Sequence, residues 1–211
     1  MRQQDTKSVI TVSHLHGSGG SAVARELGRR LGFEVWDNEI VRRIASRYDL
    51  AESLVEAKDE RVDSFVERMV GIFGAAGFEA AYQIPPPLWL NDARLVRMTR
   101  GLIEEAAQRG RAVVVGRGGP CVLAGRRDVL HVFVFAPREA RVRNVMAREG
   151  VDRKEAERRV AGMDRLRQDY LRTFYRADLH DPTLYHLLID SSLWGQEATV
   201  DIVESAFRRL A

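Results

Sequence analysis

The chain has 211 residues, of which 45% are hydrophobic and 30% charged, and its formal net charge is +3. These values are typical of a globular protein with a sizeable core, and the charge excess is too small to indicate nucleic-acid binding. The one cysteine, Cys121, excludes an intramolecular disulfide. The N-terminus lacks the apolar core of a signal peptide and no apolar run reaches membrane-spanning length, so we expect a cytoplasmic protein.

The first forty residues predict a βαβ unit. Residues 8–13 (SVITVS) form a β-branched apolar run, which is typical of a buried strand. After several glycines, Val23, Leu27 and Leu31 recur at a spacing of four along one helix face. Residues 33–37 (FEVWD) predict a second strand, and a strand, helix and strand in this order favour a parallel sheet.

The rest of the chain predicts an α/β pattern with one interruption. Residues 38–92 show helical patterns without strands, and we interpret them as a helical insertion within a single domain of residues 1–211. Further strands are predicted at 112–116, 129–136 and 186–190, and helices at 93–110, 137–149, 152–175 and around 200–210, the last with Val200, Val203, Phe207 and Leu210 on its apolar face. We therefore expect a three-layer α/β fold, a parallel sheet of about five strands with helices on both faces.

The stretch 14–21 (HLHGSGGS) joins the first strand to the first helix. Glycines there let the backbone close around an anion, towards which free N–H groups and the helix dipole point. We predict that a nucleotide's phosphates bind the backbone of Gly17, Ser18, Gly19, Gly20 and Ser21. The alternative is a plain tight turn, because the full G-x-x-x-x-G-K-[ST] pattern would need glycine at position 14 and lysine at position 20.

The order of these pieces resembles the cytidylate kinase-like family of P-loop proteins. The similarity runs from Val9 to the C-terminus and is strongest in ITVSHLHGSGGSAVARELGRRLGFEVWDNEIV, VVVGRGG, VFAPREARVRNVMAREG and DPTLYHLLIDSS. The family commonly carries the lysine-free GSGG loop, although an arginine often stands where this chain has His14. The resemblance implies a P-loop kinase fold in which 38–92 lies on the monophosphate side and 137–176 forms a lid.

The resemblance to cytidylate kinase also implies roles on the acceptor side. Asp37 matches the acidic residue that ends the second strand at the monophosphate site, and Arg43 matches a nearby arginine for the substrate phosphate. Arg117 in VGRGG matches the arginine of a G-R-D motif. Gly118 replaces the aspartate of that motif, which helps to hold the nucleotide, and this departure puts a preference for cytidine in question.

Further arginines are implied for the lid. Arg165, Asp169 and Arg172 reproduce an R-x-x-x-D-x-x-R pattern of the substrate and lid region, and Arg141 corresponds to a lid-side arginine. The spacing of the first three places two guanidiniums and a carboxylate on one helix face, where guanidiniums suit phosphate. A solvated, salt-bridged helix is the alternative for such a pattern. The implied catalytic arginines are Arg117, Arg141, Arg165 and Arg172, and Arg43, Arg117, Arg165, Arg172, Asp37 and Asp169 are the implied substrate-binding residues.

The function that follows from the resemblance is phosphoryl transfer from ATP, with Mg²⁺ held by Ser21, to a nucleoside monophosphate such as CMP or dCMP. The alternatives are a kinase of the same fold with another small acceptor and a nucleotide-binding regulatory module without turnover. We expect a small-molecule partner, no nucleic acid or membrane, and a monomer or homodimer. Because Lys7, Lys58 and Lys154 are poorly placed, an arginine is expected to supply the charge that the loop lacks.

Overall fold

The computed structural model describes residues 9–37 and 93–210. The chain divides into two units, one of Met1–Trp36 with Ile103–Ala211 and the other of Asp37–Leu102. The proposed insertion at 38–92, with Arg43, lies outside the described residues. Among the residues that are described, no helix is both long and apolar enough to cross a bilayer.

The first unit contains a five-stranded sheet in which every neighbouring pair of strands is parallel. The strands are β1 (Val9–His14), β2 (Glu34–Trp36), β3 (Ala112–Val115), β4 (Val129–Phe135) and β5 (Leu187–Asp190). Their order across the sheet is β2-β3-β1-β4-β5. The predicted parallel α/β architecture is therefore confirmed, with strand ends within one residue of the predicted ones.

The helices are α1 (Gly20–Leu31), α2 (Ala93–Arg109), α3 (Gly119–Val122), α4 (Arg138–Glu149), α5 (Arg153–Tyr175) and α6 (Ser191–Leu210). A short 3₁₀ turn covers Pro182–Leu184. The side chain of Asp152 caps α5 by accepting from the Glu155 amide at 2.8 Å, as the sequence pattern predicts.

Two details of the helices differ from the sequence-based prediction. The four-residue helix α3 was not expected, because its Gly-Pro composition is typical of a turn. Leu210 is 42% exposed, whereas Val200, Val203 and Phe207 are buried as predicted. Leu210 ends α6, so no further turn of the helix covers it.

Alternate strand residues face two different helical layers. Ile10, Val12 and Val132 pack with α1 and α6 through Leu27 and Phe207. Phe133 belongs to a second cluster that also contains Leu15, Leu171, Leu179 and Tyr185. This alternation is the period of two expected of strands that are buried on both faces, and it gives the three-layer arrangement.

The carboxyl ends of all five strands lie at one edge of the sheet. From the central strand β1 the chain proceeds to β2 on one side, whereas from the adjacent β4 it proceeds to β5 on the other side. Ligands of open α/β sheets bind at this kind of topological switch point. The loop that follows β1, residues 14–19, therefore occupies the position where a ligand is expected.

Candidate functional site

The loop of residues 14–19, called the glycine loop below, has at Gly17 a backbone conformation that only glycine accommodates well. Gly17 has φ 82°, in the left-handed region that side chains disfavour. A Cβ on Gly17 would also lie 2.6 Å from the backbone oxygen of Arg141, closer than real Cβ atoms approach. The loop is therefore pressed against the start of α4 at this point.

Residue 16 of the loop is held at both its N–H and its C=O. Its amide donates to Asp164 Oδ1 at 2.9 Å, and its carbonyl accepts from Arg141 Nη1 at 3.1 Å. Arg141 Nη1 also pairs with Asp164 Oδ2 at 2.6 Å, and its Nε donates to the Ala136 carbonyl at 3.0 Å. Arg141, the predicted lid-side arginine, is therefore a buried residue (7% exposed) that supports the loop through the His16 carbonyl.

The next three carbonyls of the loop also accept hydrogen bonds from the protein. Asn144 Nδ2 on α4 donates to Gly17 at 2.9 Å, and Ser191 Oγ at the start of α6 donates to Ser18 at 2.6 Å. The carbonyl of Gly19 accepts from the amides of Ala22 and Val23 in the first turn of α1. In a trans peptide the C=O and the following N–H point in opposite directions. The amides of Gly19 and Gly20 therefore point away from these donors.

Ser18 shapes the loop from inside. Its side chain is 2% exposed, and its Oγ lies 2.8 Å from the Leu15 carbonyl and 3.0 Å from that of Val134. Its amide donates to Leu15 at 3.2 Å. The Ser18 amide thus has an acceptor within the loop, unlike the first amides of α1, which have none within their helix.

His14 fills the space that a side chain at position 20 would need. A Cβ on Gly20 would lie 2.3 Å from the Cβ of His14. The Nε2 of His14 is 3.4 Å from Ser21 Oγ, so the same ring touches the residue expected to hold Mg²⁺. Burial, followed by the positive charge of Arg167, lowers the pKa of His14 well below 6.5, and the ring is neutral at physiological pH.

Arg167 is the cation that reaches this loop from α5. Its Nη1 donates to the His14 carbonyl at 2.8 Å, and its Nη2 lies 3.2 Å from His14 Nε2. The sequence reasoning missed Arg167, as well as Asp164 and Asn144. A signal was present, because Asp164, Arg167 and Leu171 follow one another at the three- and four-residue spacing of an inward helix face.

The predicted arginine pattern lies on a different face of α5. Arg165 and Arg172 are exposed, and Asp169 is partly exposed. Within residues 9–37 and 93–210, no ion pair joins these three side chains. The face is open to solvent, as both the phosphate-binding interpretation and the solvated alternative require, and its binding role stays a prediction.

The turn after β3 carries a second close approach. Gly116 has φ 65°, Arg117 φ 56° and Gly118 φ 73°, so the backbone is left-handed at three successive residues. A Cβ on Gly118 would lie 2.5 Å from Cε2 of Tyr175. The Tyr175 ring, 5.9 Å from the ring of Tyr170, thus occupies the place where an aspartate side chain would begin.

Asp37 directly follows β2 and is partly exposed, in the second unit. The other predicted residue of the monophosphate side, Arg43, lies outside the described residues.

In the glycine loop, burial and then the charge of Arg167 lower the pKa of His16 to about 3, although its Nε2 is 3.6 Å from Glu149 Oε1. Neither loop histidine therefore adds positive charge at neutral pH.

A parallel five-stranded sheet with a glycine loop between its central strand and the following helix defines the class of P-loop phosphotransferases. The sequence narrows the class further. The model of the cytidylate kinase-like family matches residues 9–193, and the chain belongs to this family. It is accordingly a phosphotransferase of the nucleoside monophosphate kinase type.

Individual proteins show the same relationship. The cytidylate kinase of Methanopyrus kandleri is 29% identical over 209 residues, which cover 94% of this chain and 92% of that protein. A crystal structure of an uncharacterized protein from Eubacterium ventriosum superposes with a TM-score of 0.69 at 18% identity, over 95% of this chain and 98% of that one. The shikimate kinase of Bacteroides thetaiotaomicron gives 0.52 at 14% identity, with the same coverage. At these identities the two structures show the fold alone.

Proposed function

We propose that this protein transfers the γ-phosphoryl group of ATP, with Mg²⁺, to a nucleoside monophosphate, and that CMP or dCMP is the first candidate acceptor. The observation that carries the proposal is the loop 14–19, whose successive carbonyls accept hydrogen bonds from the protein. Membership of the cytidylate kinase-like family and the name of the Methanopyrus kandleri relative support the choice of acceptor.

The donor phosphates bind at the start of α1. The amides of Gly17, Gly19, Gly20 and Ser21 supply the donors, since the preceding carbonyls are engaged on the opposite side or belong to the first turn of the helix. The Ser18 amide contributes less than the sequence alone suggests, because it already donates to Leu15. An oxygen of the acceptor phosphate attacks the γ-phosphorus, and the bond from that phosphorus to ADP breaks.

Ser21 fits a role as the protein ligand of Mg²⁺. Magnesium in kinases takes most of its ligands from phosphate and water, so one hydroxyl suffices, and the described residues contain no cluster of three acidic, histidine or cysteine side chains that could hold a metal. The Ser21 hydroxyl oxygen, 3.4 Å from His14 Nε2, has lone pairs that can coordinate a cation. The bound ion would neutralise charge that develops on the transferring group.

The acceptor is proposed to bind between the remaining predicted residues. Arg165 and Arg172 stand exposed on α5, with Asp169 beside them, and can approach an anionic group without breaking an existing ion pair in the described structure. Arg117 is partly buried just after β3 and near Tyr170. Burial raises the pKa of the Tyr170 hydroxyl well above 10, and the positive charge of Arg117 opposes this shift. Asp37 and Arg43 belong to the second unit, and their role toward the acceptor phosphate stays a prediction from the family resemblance.

A second candidate is a kinase of the same fold with a different small acceptor. It is favoured by the packing of Tyr175 against Gly118, because a Cβ at position 118 would lie 2.5 Å from Tyr175 Cε2. No room is left there for the aspartate that, by the resemblance, helps cytidylate kinase to hold its nucleotide. An aromatic ring offers a flat apolar surface there in place of a carboxylate. A CMP acceptor would then lack a group that the resemblance expects to help hold the nucleotide.

A turnover assay decides between these candidates. The purified chain is incubated with Mg·ATP and, separately, CMP, dCMP, UMP, AMP and shikimate, and ³¹P NMR follows both ADP and the phosphorylated acceptor. Transfer to CMP or dCMP in preference to the others supports the proposal, and preference for another acceptor supports the second candidate. ATP binding without transfer to any acceptor would contradict both and favour a regulatory module.

A further inference from the structure

A positive charge lies beside the glycine loop although the loop has no lysine. In phosphate loops of the G-x-x-x-x-G-K type, the lysine reaches the β- and γ-phosphates of the donor. Here the corresponding position is Gly20, and His14 occupies the space of its side chain. The same histidine holds the guanidinium of Arg167 through its carbonyl and its ring, at 2.8 Å and 3.2 Å.

We propose that Arg167 supplies the charge that a loop lysine would bring to the donor phosphates, and that His14 is its positioning residue. The inference rests on the proposed function to the extent that the loop must bind a nucleotide. It does not depend on which acceptor is used. Arg167 lies outside the R-x-x-x-D-x-x-R motif, on the helix face that it shares with Asp164 and Leu171.

The chemistry of the His14–Arg167 contact suits this role. A guanidinium nitrogen can only donate, so Nε2 of His14 accepts and the neutral ring carries its hydrogen on Nδ1. Both bonds to His14 therefore position the guanidinium beside the loop. Arginine also matches phosphate geometry with two parallel hydrogen bonds.

The other predicted arginines are less well placed for the donor phosphates. Arg141 is buried and engaged by Asp164 and two carbonyls. Arg165 is two residues from Arg167 on the same helix, and such neighbours project roughly 160° apart. When Arg167 faces the loop, Arg165 accordingly faces solvent, in agreement with its exposure.

The test separates the charge of Arg167 from its hydrogen bonds. Arg167→Lys keeps the charge and loses the planar fork, whereas Arg167→Gln keeps a donor for the His14 carbonyl and loses the charge. Arg158→Gln is the matched control, because Arg158 is exposed on the same helix and bonds Glu155. Calorimetry measures the affinity of each variant for Mg·ATP and for inorganic triphosphate, and thermal unfolding confirms that each variant is folded.

The expected result is a loss of ATP and triphosphate affinity of roughly 10- to 100-fold in Arg167→Gln, the range of a hydrogen bond to a charged group. Arg167→Lys should recover most of the loss, and Arg158→Gln should bind as the wild type does. The inference is overturned if Arg167→Gln binds both ligands normally, if glutamine substitutes better than lysine, or if the wild type binds neither ligand. Wild-type binding without transfer would refute the proposed function alone, since these affinities do not involve an acceptor.

His14 is tested by its dependence on Arg167. His14→Gln can place an amide oxygen near the position of Nε2, whereas His14→Phe keeps the ring and removes the acceptor. We expect His14→Gln to bind ATP within about threefold of the wild type and His14→Phe to resemble Arg167→Gln. In the Arg167→Gln background, His14→Phe should cause no further loss. An additive loss in the double variant would show that His14 does not act through Arg167.

Discussion

Gly20 and His14 exclude each other's side chains: a Cβ on Gly20 would lie 2.3 Å from the Cβ of His14 and 2.6 Å from its Cγ. Position 20 is where other phosphate loops carry their lysine. The missing lysine and the histidine six residues earlier are therefore two parts of one packing arrangement. Restoring the lysine alone would force His14 out of its place and disturb the position of Arg167 as well.

The first prediction is that Gly20→Ala destabilises the protein although alanine favours helices. The added methyl overlaps His14, and overpacking of this kind costs about 1–3 kcal/mol. Urea unfolding of Gly20→Ala, His14→Gly and the double variant gives the coupling between the two sites, since only glycine removes the Cβ that the methyl overlaps. We expect the double variant to be more stable than the sum of the single losses. Strictly additive losses would mean that the two side chains do not compete for this space.

The buried pair of Arg141 and Asp164 should dominate the stability of the loop region. Removing the carboxylate in Asp164→Ala leaves the Arg141 guanidinium buried without its partner, and such changes cost about 3–5 kcal/mol. The control is Glu139→Ala, because the Glu139–Arg153 pair is 56% exposed on both sides and should contribute about 0–1 kcal/mol. Chemical denaturation measures both. Equal losses in the free energy of unfolding for the two substitutions would contradict the assignment of Arg141 and Asp164 as the buried pair that supports the loop.

His16 should make stability depend on pH below neutrality. Burial, followed by Arg167, lowers its pKa to about 3 in the folded protein, whereas the unfolded chain takes up a proton near pH 6.5. The unfolded state therefore binds more protons between these values, and stability falls as the pH decreases. Relative to His16→Asn, which does not titrate, the wild type should lose up to about 2 kcal/mol between pH 7.5 and 5. A constant difference between the two proteins across this range would refute the prediction.

Gly118→Ala should be more harmful than the same change at Gly125. The two glycines have nearly the same backbone, φ 73° and φ 76°, so the strain of a left-handed alanine is matched. Only Gly118 would bring its Cβ to 2.5 Å from Tyr175, since nothing lies within 4 Å of a Cβ at Gly125. We expect an additional loss of about 1–3 kcal/mol at Gly118, relieved by Tyr175→Ala. Equal melting temperatures for the two glycine variants would show that Tyr175 moves aside freely.

The sequence predicts the fold well because hydrophobic periodicity reports burial directly. Each strand from β1 to β5 is an apolar run, and the order of strands and helices restricts the topology to a parallel sheet. The sequence also places the glycine-rich loop between β1 and α1, and phosphate binding there stays a prediction. The supports of the loop could not be predicted, because Asp164, Arg141 and Asn144 are more than a hundred residues away from the groups that they bind.

Arginine roles were the hardest to predict from sequence. The chain is rich in arginine, and a pattern on a helix does not tell which face meets the loop. The motif of Arg165, Asp169 and Arg172 directs attention to one face of α5, whereas Arg167 on another face contacts His14. The burial of Ala156, Val160, Met163 and Leu171 fixes the rotation of the helix.

The exposed face of α5 leads to the last prediction. Arg165→Ala and Arg172→Ala should each lower phosphoryl transfer by roughly a hundredfold, because each removes a charge that stabilises the transferring group only in the transition state. Both side chains are exposed and lack an ion pair in the described residues, so the melting temperature should not change. Asp169→Asn should mainly raise the Michaelis constant of the acceptor, and Arg158→Ala, on the same helix, is the control. Because Arg167 is proposed to act on the donor, ATP affinity should survive in Arg165→Ala and Arg172→Ala. Normal turnover in both variants with every accepted substrate would show that this face serves solubility rather than catalysis.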